Sequence, residues 1–212
     1  AKYDPPTICN VIELFEVRPD TDGFMDGRIR AAFPEMPPMV GFAATATFRS
    51  AFPPVKGAYV GLDSQVERFA DLPGPAVVAF QDLDDPAVGA TFGEVMCSTY
   101  KAFGSAGLIT SGGGRDLLQV RALDFPVFSG SSICSHAYCQ TLEIGCPIRV
   151  GGLVVRTGDL LHGEAIPDPY RWLEDGASAQ TQAWTRQQMA YTRHLLTQVG
   201  ERDSIRRIVA RL

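Results

Sequence analysis

Two short segments of this chain carry residue types that could act together on a carbonyl compound. The first, GATFGEVM at 89–96, places a glycine-bearing loop before a helical pattern, and the N–H groups at a helix start suit an anion such as a carboxylate. The second, a glycine loop at 112–116, ends in Arg115 and Asp116, whose side chains we expect to point in opposite directions or toward different partners. Arg115 could bind a substrate oxygen while Asp116 holds a hard metal ion.

The elements around these segments predict a layered α/β domain, because strand and helix patterns alternate along the chain. Strands are expected at 39–48, 75–81, 107–110 and 125–129, and a hairpin at 148–155 around Gly151-Gly152. Helices are expected at 7–17, 64–70, 93–103 and 117–123. Thr7 is the predicted N-cap of the first helix.

The character of the sequence changes at about residue 166, where glycine becomes rare and Gln, Arg and Thr become common. Residues 178–199 form one long helical pattern and residues 201–212 a second. We therefore predict an α/β domain over 1–165 and an α-helical tail over 166–212.

Composition excludes several classes of protein. The 212 residues are 45% hydrophobic and carry a net charge of −5, without the basic patch that a nucleic-acid surface needs. The sequence holds no apolar run long enough to span a bilayer, and no secretory signal pattern. With five cysteines, an odd number, a reducing cytoplasmic location is expected.

The motifs GATFGEVM, GLITSGGGRD, FPVFSG and PIRVGGLVVRTGDLLHGE, in that order, resemble RraA-like proteins over about residues 7–164. That family includes divalent-metal aldolases acting on 4-hydroxy-4-methyl-2-oxoglutarate, some oxaloacetate decarboxylases, and regulators that bind ribonuclease E. The resemblance implies a swivelling β/β/α fold and a homotrimer or hexamer. The pattern stops near Gly163-Glu164, before the family's last strand, so we expect a domain truncated at that strand.

The resemblance also implies roles for individual residues. Arg115 would bind the carboxylate or keto oxygen of a 2-oxo acid, and Asp116 would be the sole direct protein ligand of Mg²⁺ or Mn²⁺. Glu164 would reach the metal through a water, across a subunit interface. The substrate carboxylate would be held by backbone amides of the first segment, at Gly93, Glu94, Val95 and Met96.

The implied activity is a metal-dependent lyase that cleaves a C–C bond of a 2-oxo acid, by retro-aldol cleavage or oxaloacetate decarboxylation, and releases pyruvate. One departure bears on it: Ser111 stands where the family often has an aspartate, and a hydroxyl adds no charge near the metal. A glycine triplet, Gly112–Gly114, also replaces a bulkier pattern and is expected to loosen the loop. The alternatives are a non-catalytic protein that regulates an RNA-processing enzyme, and a non-functional fusion.

Several residues allow a rival or a purely structural interpretation. Asp116 could cap the helix that starts at Leu117, with Arg115 in a surface ion pair. Lys101 could form a Schiff base, and His162 could be an acid/base or merely structural. A possible zinc site has the spacing C-x-H-x₂-C-x₆-C, although buried cysteines usually act as small hydrophobic residues; its members are Cys134, His136, Cys139 and Cys146.

The tail resembles a different family. The run IPDPYRWLEDGASAQTQAWTRQQMAYTRHLL is similar to the N-terminal segment of prolyl oligopeptidases, which carries no catalytic residue in those enzymes. The resemblance therefore implies no protease activity for this chain.

Overall fold

The computed structural model describes residues 5–55, 61–164 and 175–198. The chain divides into two compact units, residues 1–166 and 167–212. The first unit begins with α1 (Pro5–Glu13), β1 (Arg30–Ala31), β2 (Met39–Arg49), α2 (Leu62–Glu67), a 3₁₀ turn (Arg68–Asp71), β3 (Ala76–Asp82), β4 (Ala90–Phe92) and α3 (Glu94–Ala102). It continues with β5 (Gly107–Gly114), α4 (Leu117–Ala122), β6 (Val127–Ser132), β7 (Gln140–Ile144), β8 (Ile148–Val150), β9 (Leu153–Val155) and β10 (Leu160–Gly163). The second unit contains α5 (Ala179–Thr197).

An eight-stranded sheet forms the centre of the first unit. Its main order is β1-β6-β5-β3-β2-β10, with β4 added beside β5 and β7 beside β2. The four central strands β2, β3, β5 and β6 are parallel to one another, whereas β1 pairs antiparallel with β6 and both β7 and β10 pair antiparallel with β2. The carboxyl ends of the parallel strands therefore meet at one edge of the sheet, where ligands bind in open α/β sheets.

Both faces of the sheet are covered, and consecutive residues of a strand serve opposite faces. On β3, Val78 and Phe80 pack with residues of the helices, among them Tyr100 of α3 and Val120 of α4. Val77 and Ala79 pack on the other face, against Ile148, Val150 and Val155 of the β8–β9 hairpin. These continuous apolar strands are the pattern of a parallel sheet buried on both sides.

The layering confirms the predicted β/β/α arrangement with a C-terminal helix. The hairpin lies where it was expected, and Gly151 and Gly152 make its turn with φ of +52° and +77°. The sheet is open, as predicted for a domain that lacks the last strand of its family: β1 forms one edge, and β10 and β7 pair with successive parts of β2 along the other.

The predicted glycine loop at 112–116 is wrong, because Gly112, Gly113 and Gly114 continue β5 and are buried. A Cβ on Gly114 would lie 1.9 Å from the ring of Phe92, and one on Gly112 would lie 2.5 Å from Asp82 Oδ2. The triplet therefore does not loosen a loop; it lets β5 approach neighbouring side chains closely.

Other differences are local. Ala90–Phe92, expected as loop, forms β4 because it pairs with the end of β5 beyond β3. Thr7 lies within α1, which already includes Pro5, so it is not the N-cap. Sequence patterns did not predict β7. The second tail helix, predicted at 201–212, lies outside the described residues.

Candidate active site

Arg115 and Asp116 leave the sheet at the carboxyl end of β5, directly before α4. The same edge receives the start of α3, because β4 is parallel to β5 and ends beside Gly114. The backbone N–H of Arg115 donates to Phe92 O at 3.2 Å, which ties the two connections together. Strand pairing therefore brings together the two segments that the sequence singled out.

The side chains of Arg115 and Asp116 lie together instead of pointing in opposite directions, while the alternative expectation, that they face different partners, holds for Asp116, which also contacts α3. Arg115 Nε lies 3.5 Å from Asp116 Oδ2, and both side chains are about one third exposed. Asp116 occupies the N-cap position of α4 but makes no side-chain cap hydrogen bond. Its carboxylate instead accepts the N–H of Glu94, at 3.2 Å, from α3.

Asp116 has a left-handed backbone conformation, with φ 53° and ψ 35°. Such a conformation is uncommon for a residue with a side chain and carries a cost of about 1 to 3 kcal/mol when it is held in place. Here it turns the carboxylate away from its own helix and toward the start of α3. Strained backbone of this kind clusters at functional sites, which makes Asp116 a strong candidate.

The start of α3 offers two further donors. In the described part of the chain, the N–H groups of Val95 and Met96 have no acceptor, as is usual in the first turn of a helix. Together with the positive end of the helix dipole, they can bind a carboxylate. The amide of Glu94, in contrast, is already used by Asp116.

Gly93 is needed here for space rather than for backbone freedom. Its φ of −159° and ψ of −170° are open to any residue. A Cβ at this position, however, would lie 2.7 Å from Asp116 Oδ2 and 3.3 Å from Arg115 Cγ. The glycine therefore allows the Arg-Asp pair to sit against the start of α3.

The metal ligands available here are few. Among the described residues, no three His, Cys, Asp or Glu side chains are grouped so that they could hold a metal ion. Asp116 Oδ1 has no partner in that part of the chain. A sparse site, with one carboxylate plus waters and substrate oxygens, is the kind that Mg²⁺ accepts.

Ser111 in β5 and Asp82 at the end of β3 lie near the same carboxyl edge of the sheet. Ser111 Oγ accepts the N–H of Asp82 at 2.9 Å. Asp82, at the end of β3, is 9% exposed, and its Oδ2 is buried with no hydrogen-bond partner in the part of the chain that the structure describes. Burial raises the pKa of this carboxyl to about 6; the N–H of Asp84 opposes the shift, and the charges of Asp84 and Asp85 add to it.

Sequence reasoning did not select Asp82, because the predicted strand ended one residue earlier. A carboxylate directly after a continuous buried strand is the signal that could have found it, since strand ends at this edge face ligands.

Glu164 and His162 lie elsewhere. Both line a cleft of about 950 Å³, to which Ile109 and Phe128 also contribute, and neither Arg115 nor Asp116 lines it. Glu164 Oε2 and both ring nitrogens of His162 are buried, and none of the described residues gives them a hydrogen-bond partner. Within one chain the structure does not bring Glu164 to Asp116, so a contact from a neighbouring subunit stays a prediction.

The rival chemistries find no support in the geometry. The ammonium group of Lys101 donates to the carbonyl of Leu123 and ties α3 to the end of α4. Cys139 packs with the helix-side core and Cys146 with the hairpin-side core, while Cys134 is exposed. Because no metal-ligand cluster exists among the described residues, the possible zinc site is not assembled there.

Comparison with known proteins supports two separate relationships. Residues 8–165 match the RraA-like family, described as Aldolase/RraA. Residues 154–212 match a second family, the prolyl oligopeptidase N-terminal beta-propeller domain. The second match begins before the first ends, so the two share the region around β9 and β10.

Individual relatives agree with this division. A protein of Halalkalibacterium halodurans, provisionally named 4-hydroxy-4-methyl-2-oxoglutarate aldolase, is 33% identical over 94 residues, which are 44% of each chain. A prolyl endopeptidase of Elizabethkingia meningoseptica is 39% identical over 49 residues, 23% of this chain and 7% of that enzyme. The chain thus spans less than half the length of these relatives.

Solved structures share the fold at low identity. Streptomyces coelicolor RraAS2, described as an unusual member of the RNase ES inhibitor RraA protein family, is 20% identical with a TM-score of 0.60, over 89% of this chain and 92% of that one. A structure described under novel cellulases from microbes of the gut ecosystem is also 20% identical, with a TM-score of 0.64 over 89% and 83%. Such different names on one fold show that the site, and not the fold, must decide the function.

None of the helices in the described part of the chain combines the length and apolar character needed to cross a bilayer.

Proposed function

Because this chain belongs to the RraA-like family, which covers residues 8–165, we propose that it is a divalent-metal-dependent lyase that cleaves a C–C bond of a 2-oxo acid and releases pyruvate. The observation that carries the proposal is the convergence of Arg115 and Asp116 on the start of α3. One cation and one carboxylate therefore lie next to the first turn of α3, whose amides at Val95 and Met96 have no acceptor among the described residues. The name of the Halalkalibacterium halodurans relative supports an aldolase.

Asp116 is the residue that would hold the metal, Mg²⁺ or Mn²⁺, through Oδ1, the oxygen that has no partner among the described residues. When bound, a divalent cation supplies Lewis-acid polarisation of the substrate's 2-keto oxygen. The amides of Val95 and Met96 would bind the adjacent carboxylate. The Arg115 guanidinium would bind the carboxylate or keto oxygen and offset the negative charge that develops as the C–C bond breaks.

The alternative is a non-catalytic protein that binds and regulates an RNA-processing enzyme. One observation favours it: Ser111 occupies the position of a common family aspartate, and its hydroxyl already accepts the N–H of Asp82. The name of the Streptomyces coelicolor neighbour gives the class of partner. A homotrimer or hexamer in the cytoplasm remains our prediction for either role, and a non-functional fusion remains the third possibility.

The test is pyruvate release from oxaloacetate and from 4-hydroxy-4-methyl-2-oxoglutarate, with Mg²⁺ or with EDTA, and with protein-free Mg²⁺ as the blank. We expect chelator-sensitive release that falls at least about 100-fold in Asp116→Asn, since Lewis-acid stabilisation provides several kcal/mol. Asp124→Asn is the matched control, because Asp124 shares the left-handed backbone of Asp116, with φ 49°, and is exposed.

Full metal-dependent turnover in Asp116→Asn would refute the assignment. A folded wild-type protein that releases no pyruvate but binds a ribonuclease would establish the regulatory alternative. Aggregation of the purified protein, with neither property, would point to the non-functional fusion.

A further inference from the structure

The free edge of β10 opens into a cleft that takes no part in the proposed reaction. β10 is the last strand on its side of the sheet, and among the described residues it pairs with β2 alone. All of its residues, Leu160–Gly163, line a cleft of about 950 Å³, to which α1 and the β8–β9 hairpin also contribute. Neither Arg115 nor Asp116 lines this cleft.

Two residues of β10 direct their backbone groups toward the open edge. In β2, the N–H of Phe42 donates to the carbonyl group directly before β3. Because backbone groups alternate in direction along a strand, those of Gly41 face β10, where Leu161 is the register partner. Leu160 and His162, on either side of Leu161, therefore face away from β2. No described residue pairs with their N–H and C=O groups.

Nothing in the sequence of β10 protects this edge from further pairing. Natural sheets block their open edges with very short strands, charged side chains or proline. The opposite edge follows that rule, because β1 has two residues and one of them is Arg30. β7, which pairs with the other part of β2, carries Glu143. β10 reads Leu-Leu-His-Gly, without a lysine, a carboxylate or a proline, so its edge can accept another strand.

The same cleft exposes apolar side chains. Phe24, Val154 and Leu160 all line it, with 58%, 39% and 64% of their surface exposed. Exposed apolar groups gathered in one cleft favour a ligand that buries them. Free backbone groups beside apolar side chains are what the addition of a peptide strand requires, because the backbone bonds give affinity and alternate side chains fill the apolar space.

The charged groups of the cleft favour an acidic peptide. Three arginines line it: Arg18, Arg149 and Arg156. No carboxylate of the described residues lies within ion-pair distance of any of the three. Three carboxylates also line the cleft, but Asp159 already accepts the backbone N–H of Arg156, and Glu164 keeps Oε2 buried, which leaves Asp22. Carboxylates on a ligand would therefore meet free guanidinium groups.

We propose that β10 accepts an extended segment of another polypeptide as an added strand, with apolar residues at alternate positions and acidic residues between them. Its backbone would pair with Leu160 and His162, and its carboxylates would meet the arginines of the cleft. A second copy of β10 fits less well, because Leu160–Gly163 brings no carboxylate to these arginines. The proposal does not depend on the lyase function.

The experiment is a titration of the full chain with the acetylated and amidated pentapeptide VEVEV, followed by isothermal calorimetry. Amide hydrogen exchange at Leu160 and His162, measured by NMR, reports on the edge directly. The matched ligand is VKVKV, which keeps the apolar pattern and reverses the charge. We expect saturable binding of VEVEV with slower exchange at both amides, and binding about 10-fold weaker for VKVKV.

Two variants at one position separate the backbone from the side chain. Leu160→Pro removes the outward N–H together with the side chain, and Leu160→Ala removes the side chain beyond Cβ only. Both should fold, because that N–H does not bond to β2 and proline is tolerated at the first residue of an edge strand. The proline variant should bind VEVEV about 10-fold more weakly than the alanine variant, since a hydrogen bond is lost and its partner stays unsatisfied.

A second pair of variants tests the charge. Arg156→Gln should weaken VEVEV, whereas Arg121→Gln, whose partner is Glu35 outside the cleft, should leave the affinity unchanged. Absence of saturable binding, equal binding of VKVKV, equal affinity of the two Leu160 variants, or unchanged exchange at Leu160 and His162 would each overturn the proposal. Self-association of the chain that Leu160→Pro abolishes, with no peptide bound, would assign the edge to a second copy instead.

Discussion

Replacing Asp82 by asparagine should make the stability of the protein less dependent on pH. Burial raises the pKa of this carboxyl from 3.8 to about 6, and the neighbouring charges of Asp84 and Asp85 contribute in the same direction. The folded protein therefore binds this proton more tightly than the unfolded chain does. In the interval between the two pKa values, the free energy of unfolding must fall as the pH rises.

The size of the effect follows from the shift. About two pKa units at 1.36 kcal/mol each correspond to roughly 3 kcal/mol in total, of which about 2 kcal/mol falls between about pH 4.5 and pH 7.5. Below the unfolded value both states hold the proton and the contribution vanishes. Above about pH 6 the folded protein carries the full cost of keeping the buried Asp82 carboxylate charged.

The assay is urea unfolding of wild type and Asp82→Asn at a series of pH values. The asparagine amide has its own cost, because it lacks an acceptor at the position of Oδ2, but that cost is independent of pH and cancels between pH values. We expect the stability of the variant relative to wild type to rise by about 2 kcal/mol from about pH 4.5 to pH 7.5.

The exposed Asp124→Asn variant controls for the loss of one surface carboxylate and should follow the wild-type profile. If wild type and Asp82→Asn showed parallel profiles over this range, the reasoning that burial shifts this carboxyl would be refuted.

Two further predictions concern the site and the cysteines. In Gly93→Ala, Asp116 Oδ2 must move by about 0.7 Å to reach ordinary contact distance, so chelator-sensitive pyruvate release should fall about 100-fold with little loss of thermal stability. The control is Gly27→Ala, because nothing lies within 4 Å of a Cβ at that position. A Gly93→Ala protein with wild-type activity would contradict the described arrangement of Asp116 against α3. Alkylation of the native protein should label exposed Cys134 well before Cys97, because burial raises the pKa of the Cys97 thiol to about 12. Labelling is measured by mass spectrometry, and equal rates at the two cysteines would rule out the burial of Cys97.

Local patterns predicted the regular elements well where the signal lies within one segment. The strands at 39–48 and 75–81 and the helix at 178–199 appear as β2, β3 and α5, with ends shifted by one or two residues. The pair Gly151-Gly152 predicted the hairpin correctly, because two consecutive residues that accept positive φ are a strong turn signal. Such information is carried by neighbouring residues and needs no knowledge of the rest of the chain.

Local patterns failed where a distant partner decides the conformation. Gly112–Gly114 looks like a loop, yet it is strand, because β4 and β6 pair with it from both sides. Likewise β4 is too short to be recognised alone and exists because the end of β5 is available to it.

The sequence alone determined the family of residues 8–165, the alternation of strands and helices, and the two segments that carry the candidate site. Only the tertiary structure decided how those segments meet. Asp116 turns its carboxylate to α3 rather than to its own helix because its left-handed backbone aims it there and Gly93 leaves room for it. Asp82 became a candidate only through its burial. Orientation and desolvation depend on contacts between residues far apart in the chain, and no local pattern contains them.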